Sequence, residues 1–127
     1  MSAHRDPAGS AGPAALLDAA ESDVRAGLRA LTAGFDDLVE ASAHSNADDE
    51  HDPEGATIAF ERSQLSALVR HAHEQLGEIE AARGRLADGR YGRCETCGRL
   101  IPAERLEARP TARTCVTCAA PGRARPA

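Results

Sequence analysis

Residues 94–118 read CETCGRLIPAERLEARPTARTCVTC, and they hold all four cysteines of the 127-residue chain. Two Cys-x-x-Cys knuckles, Cys94/Cys97 and Cys115/Cys118, stand 17 residues apart. Each knuckle points two sulfurs inward from one tight turn, and the intervening loop returns the second pair to the first. Four thiolates form a closed tetrahedral set with no open position for water, so the expected metal is one structural Zn2+. Gly98 directly follows the first knuckle, where the backbone passes close to the metal. A disulfide pair and a redox Cys-x-x-Cys are the rival readings. The N-terminus MSAHRDPAGSAGP lacks a signal-peptide core, which points to the cytoplasm, where disulfides are rare. Two matched knuckles argue against a single redox pair. Oxidation of thiolates that have lost their metal remains compatible with zinc.

Composition asks for the metal as well. The chain has two Phe, one Tyr and no Trp, so a large apolar core is out of reach. Metal binding coupled to folding supplies the missing free energy at the cysteine-bearing end. No apolar run approaches membrane-spanning length, so a soluble protein without a membrane partner is expected.

Upstream of the cysteines the pattern is helical. Leu17, Val24, Leu31 and Leu38 recur every seven residues, and Leu28 and Phe35 fall four after Val24 and Leu31. That alternation of fours and threes is a heptad seam. The period fails near Ser42, and Asn46 can take a left-handed cap. A second seam runs through Ile58, Leu65, Val69, Ala72, Leu76, Ile79 and Leu86. Asp52, Pro53 and Glu54 supply its N-cap acid, first-turn proline and a carboxylate beside the helix's positive end. Asp88-Gly89 and Tyr91-Gly92 are turn material that stops it. A short loop between two long helices favours an antiparallel hairpin, the alternative being two helices packed on a partner bundle.

The expected fold is therefore mainly α, an antiparallel two-helix coiled-coil hairpin with a small C-terminal four-cysteine zinc finger. Residues 1–13 are expected to be disordered, 14–88 to form the hairpin with an acidic tip at 46–55, 89–119 the finger, and 120–127 a flexible tail. The tip is DDEHDPEG (residues 48–55), with five carboxylates in eight residues: Asp48, Asp49, Glu50, Asp52 and Glu54. A calcium loop fails there, because Pro53 replaces the required Gly and Ala59 stands where a bidentate Glu belongs. A solvated, helix-capping loop is the plain reading. The charge is also divided along the chain. Residues 1–82 are strongly acidic and residues 83–127 are basic, although the net charge is only -5.

Taken together, GRYGRCETCGRLIPAERLEARPTARTCVTCA and the hairpin before it resemble the DksA/TraR zinc-finger proteins. The match rests on Gly92-x-Cys94-x-x-Cys97-Gly98, then Ile101-Pro102-x-x-Arg105-Leu106-x-Ala108-x-Pro110, then Cys115-x-x-Cys118, and spans residues 14–119. The resemblance implies a cytoplasmic bacterial transcription regulator that binds RNA polymerase without needing DNA. It further implies that the coiled coil enters the polymerase secondary channel, with the tip acids approaching the catalytic magnesium. Family tips show two Asp three apart followed by a small residue. Asp49-x-x-Asp52 has that spacing, and Glu54 occupies the place of the usual Ala, which leaves the direction of regulation open. Members that respond to guanosine tetraphosphate carry basic residues near the finger, including just after the last cysteine. Ala119 and Ala120 stand there in this chain, so dependence on that nucleotide is an open question with absence as the expected side.

The arginines of the basic end, Arg90, Arg93, Arg99, Arg105, Arg109 and Arg113, fit either a contact with nucleic acid or an acidic polymerase rim, or a solvated face. Direct DNA binding is opposed by the acidic arm. His71 and His73, two apart on one helix, do not form a metal pair. No nucleophile–base arrangement or phosphate-binding glycine loop occurs, so no enzymatic activity is expected. The alternatives to polymerase binding are a coiled-coil interaction adaptor with a structural zinc head, and a DNA-binding zinc finger.

Overall fold

The computed structural model describes residues 12–45 and 53–120. It contains four helices: α1 (Pro13–Ser45), α2 (Pro53–Ala87), α3 (Ala103–Ala108) and α4 (Val116–Ala119). Among the described residues there is no strand, only an isolated antiparallel bridge between Arg93 and Leu100. No described helix is long and apolar enough to cross a membrane. The chain divides into two compact units, residues 22–76 and residues 1–21 with 77–127.

Within the first unit, α1 and α2 face each other along the expected seams. Val24, Leu28, Leu31, Phe35 and Leu38 of α1 are half-buried, as are Ile58, Leu65, Val69 and Leu76 of α2, and Ala72 is buried. Half-burial is what one seam can deliver, since each side chain is covered from a single direction. Ala30, Leu31, Gly34, Phe35 and Leu38 line a shallow groove with Glu61, Gln64, Leu65 and Leu68. Arg62 lies over the Phe35 ring, 5.3 Å from its centroid. Ser42 is buried. The seam therefore continues one step beyond the last apolar residue, on a small hydroxyl that carries no hydrophobic signal.

In the second unit the pairing is antiparallel too. Asp18 and Glu21 of α1 meet Arg83 of α2, with N···O distances of 2.8 and 2.9 Å. Leu17 is fully buried, and Ile79, Ala82 and Arg85 of α2 are buried with Ile101, Ala112 and Cys94 of the finger. Pro13 opens α1, where a missing N–H costs nothing, and the Leu16 N–H donates to the Gly12 carbonyl at 3.0 Å. The end of α2 is a Schellman closure. Gly89 adopts φ 79°, its N–H donates to the Leu86 carbonyl, and the Arg90 N–H donates to the Arg85 carbonyl at 2.8 Å. Only glycine takes that left-handed turn without a Cβ penalty.

Candidate metal centre

The first knuckle is shaped by three backbone bonds. The Cys94 N–H donates to the Arg99 carbonyl at 2.8 Å, the Gly98 N–H to the Cys94 carbonyl at 2.9 Å, and the Ile101 N–H to the Gly92 carbonyl at 2.7 Å. Gly98 takes φ 79°, which lets the chain reverse immediately after Cys97. The Cys97 N–H lies 3.5 Å from the Cys94 sulfur. At the second knuckle, Cys115 caps α4, and its carbonyl accepts the Ala119 N–H at 3.0 Å.

These turns gather the four sulfurs into one volume. The Sγ atoms of Cys94, Cys97, Cys115 and Cys118 all lie within 4.8 Å of one another. A zinc ion bonded to four sulfurs at about 2.3 Å in a tetrahedron sets them about 3.8 Å apart. Cys97 Sγ and Cys115 Sγ stand 3.9 Å apart. The donor set thus fits zinc in both number and spacing. The four residues form the only such group of His, Cys, Asp and Glu among the described residues.

The thiols are unequal electrostatically. Burial opposes ionisation of Cys94, but the N–H groups of Cys97, Cys115 and Thr96 outweigh it and bring the thiol down to about 6. Cys115 is lowered as well, first by the Cys118 N–H. Cys118 is pushed up to about 12, by burial first and then by hydrogen bonding with Cys115, Cys94 and Cys97. Two sulfurs favour the anion, and the crowding is charged to a third. A dication stabilises all four thiolates together. The centre is a structural zinc site, closed by four sulfurs.

The loop between the knuckles is held by arginines more than by apolar bulk. Arg105 Nε donates to the Thr114 carbonyl at 2.9 Å, and buried Arg85 reaches the Thr111 carbonyl at 3.4 Å. Arg113 Nε meets Glu78 of α2 at 3.1 Å, and its Nη1 meets Glu95 at 3.2 Å. Tyr91 donates its hydroxyl to the Pro110 carbonyl at 2.7 Å. Arg93 donates to the Gly98 carbonyl, and Arg90 pairs with Asp88. The sequence offered these arginines as outward contacts or as a solvated face. Arg93, Arg105 and Arg113 also bind the finger's own carbonyls and carboxylates, and Arg93 stays exposed. Arg99 and Arg109 are exposed.

Of the tip acids, Asp48, Asp49, Glu50 and Asp52 lie outside the described residues, and Glu54 falls in the first turn of α2. His71 is exposed and 4.0 Å from Glu74 across one helical turn, and His73 is exposed as well.

Residues 89–121 match the prokaryotic dksA/traR C4-type zinc finger. The chain is 42% identical over 80 residues to YteA, an uncharacterized protein of Bacillus subtilis, covering 63% of this chain and 32% of YteA. It is 32% identical over 95 residues to the RNA polymerase-binding transcription factor DksA of Haemophilus influenzae, covering 69% of this chain and 66% of that protein. Among solved structures it is similar to transcription factor DksA2 of Pseudomonas aeruginosa. There the TM-score is 0.50 at 25% identity, covering 82% of this chain and 80% of DksA2. The chain thus spans from about a third to about two thirds of the length of the relatives it matches in sequence.

Proposed function

The chain belongs to the DksA/TraR family of C4-type zinc-finger proteins, and on that premise we propose that it is a transcription regulator that binds RNA polymerase directly. One observation carries the reading. Likeness to the Haemophilus DksA extends over 95 residues, whereas the finger match covers only residues 89–121. The helical pair is therefore part of what is shared, and a generic zinc knuckle would not account for it.

In this reading Cys94, Cys97, Cys115 and Cys118 hold one zinc, which does no chemistry on a substrate and fixes the finger beside the helices. The α1–α2 pair presents the loop between them to the polymerase secondary channel. Asp48, Asp49, Glu50, Asp52 and Glu54 bring negative charge to the field around the catalytic magnesium, where a narrow channel focuses it. Asp52 directly precedes Pro53 in the sequence, a place where an acid can serve as a helix cap, so Asp49 is taken as the freer group. Dependence on guanosine tetraphosphate is left open, with absence the expected side, because Ala119 and Ala120 occupy the place of the basic residues that nucleotide-responsive members carry. The acidic helical segment repels nucleic acid, so the protein acts without contacting DNA.

Asp49→Asn and Asp52→Asn test the tip, because they remove charge and keep shape, and Asn caps helices about as well as Asp. Multi-round transcription from a ribosomal RNA promoter and an amino-acid biosynthesis promoter is measured beside a polymerase-binding titration. The double variant is expected to bind nearly as well as the parent and to lose most of the effect on transcript output, with Asp49→Asn the larger single effect. Equal output from parent and double variant at matched occupancy would reduce the loop to a solvated turn.

A further inference from the structure

Arg113 stands two residues before Cys115 and binds the first knuckle twice. Its carbonyl accepts the Glu95 N–H at 2.8 Å, and its Nη1 meets the Glu95 carboxylate at 3.2 Å. Glu95 directly follows Cys94, so one arginine fastens the chain beside one cysteine of each pair. The same guanidinium gives its Nε to Glu78 of α2 at 3.1 Å. Two neighbours complete the arrangement. Arg105 holds the Thr114 carbonyl immediately before Cys115, and buried Arg85 of α2 reaches the Thr111 carbonyl. Apolar contacts do little of this fastening, because Ile101 and Ala112 are the only buried aliphatic residues among the finger's described residues.

We propose that Arg113 is a positioning residue for the metal. It holds the two thiol pairs at the spacing a four-sulfur ion requires and, through Glu78, ties zinc occupancy to the order of residues 77–87. Taken alone, each of its ion pairs is a partly exposed pair of small value. Their weight comes from where they sit. A group that fixes both halves of a metal site before the ion arrives lowers the ordering cost of binding, which is how outer partners raise metal affinity. The linkage is reciprocal, so a helix end anchored on Arg113 favours the metal as much as the metal favours the helix end.

The test uses the full chain, zinc affinity by chelator competition, and cobalt(II) absorption to report whether a tetrahedral four-sulfur site forms. Arg113→Met and Glu95→Gln are each expected to weaken zinc about tenfold, the low end for outer partners because the carboxylates are half exposed. The double variant should lose little more than either single one, since both remove the same contact. In the parent, zinc should slow amide exchange across residues 77–87, and Glu78→Gln should reduce that slowing, the Arg85–Thr111 contact carrying the remainder, while the cobalt spectrum persists. Affinities within about twofold of the parent for both single variants would overturn the proposal, as would fully additive losses. Equal zinc protection of residues 77–87 in the parent and Glu78→Gln would overturn the helix linkage. Should Arg113→Met give no cobalt spectrum, Arg113→Lys decides. Lysine keeps the charge but lacks the fixed fork that aims Nε and Nη1 at separate carboxylates, so a partial loss of affinity supports the clasp and parental affinity refutes it.

Discussion

Tyr91 is the single tyrosine of a chain without lysine, which makes its ionisation unusually easy to isolate. Burial first, against the opposing charge of Arg85, pushes its phenol above the ordinary value of 10. The folded state therefore favours the neutral phenol, whose hydroxyl serves the Pro110 carbonyl. The stabilisation is fully present below pH 10 and is lost as pH rises through the higher folded value. In zinc-loaded protein the thermal midpoint should fall above pH 10 as tyrosinate absorbance appears. Tyr91→Phe should cost about 1 kcal/mol at neutral pH and abolish this alkaline slope. A variant with parental stability and an unchanged slope would show that the hydroxyl contributes nothing.

At the scale of the helices, the buried positions define where stability resides. Leu17 is the one fully buried large side chain among the described residues, at 0% exposure, and Leu17→Ala should cost about 2–5 kcal/mol, measured by thermal or urea unfolding. An exposed control such as Leu68→Ala should cost far less. Leu17, Ile79 and the four-three spacing around Leu31 and Leu65 were legible in the sequence, because a two-helix seam has to repeat in fours and threes to keep facing its partner. Ala82 and Arg85 were not. Alanine carries no amphipathic signal, and an arginine reads as surface until a carbonyl such as that of Thr111 is placed beside it. The cysteine cluster was legible because knuckle spacing constrains geometry directly. Its fastening by Arg105 and Arg113 was hidden, since those contacts join residues brought together only by the fold.

For the molecule as a whole, the metal and the helices should separate under chelation. Removing zinc, or replacing Cys97 with Ser, should unfold the finger while most helical circular dichroism survives, because α1 and α2 hold 33 and 35 residues against 6 and 4 in α3 and α4. A complete loss of helicity would make the helical pair dependent on the ion. The charge division between an acidic helical arm and a basic finger suits a partner that itself presents both a basic channel and an acidic rim. The most direct measurement is an equilibrium titration of labelled, zinc-loaded chain with purified bacterial RNA polymerase in the absence of DNA. Saturable binding of one chain per polymerase is expected, competed by unlabelled parent and lost when Cys97→Ser unfolds the finger. A flat titration, or binding that appears only when DNA is added, would contradict direct binding to polymerase.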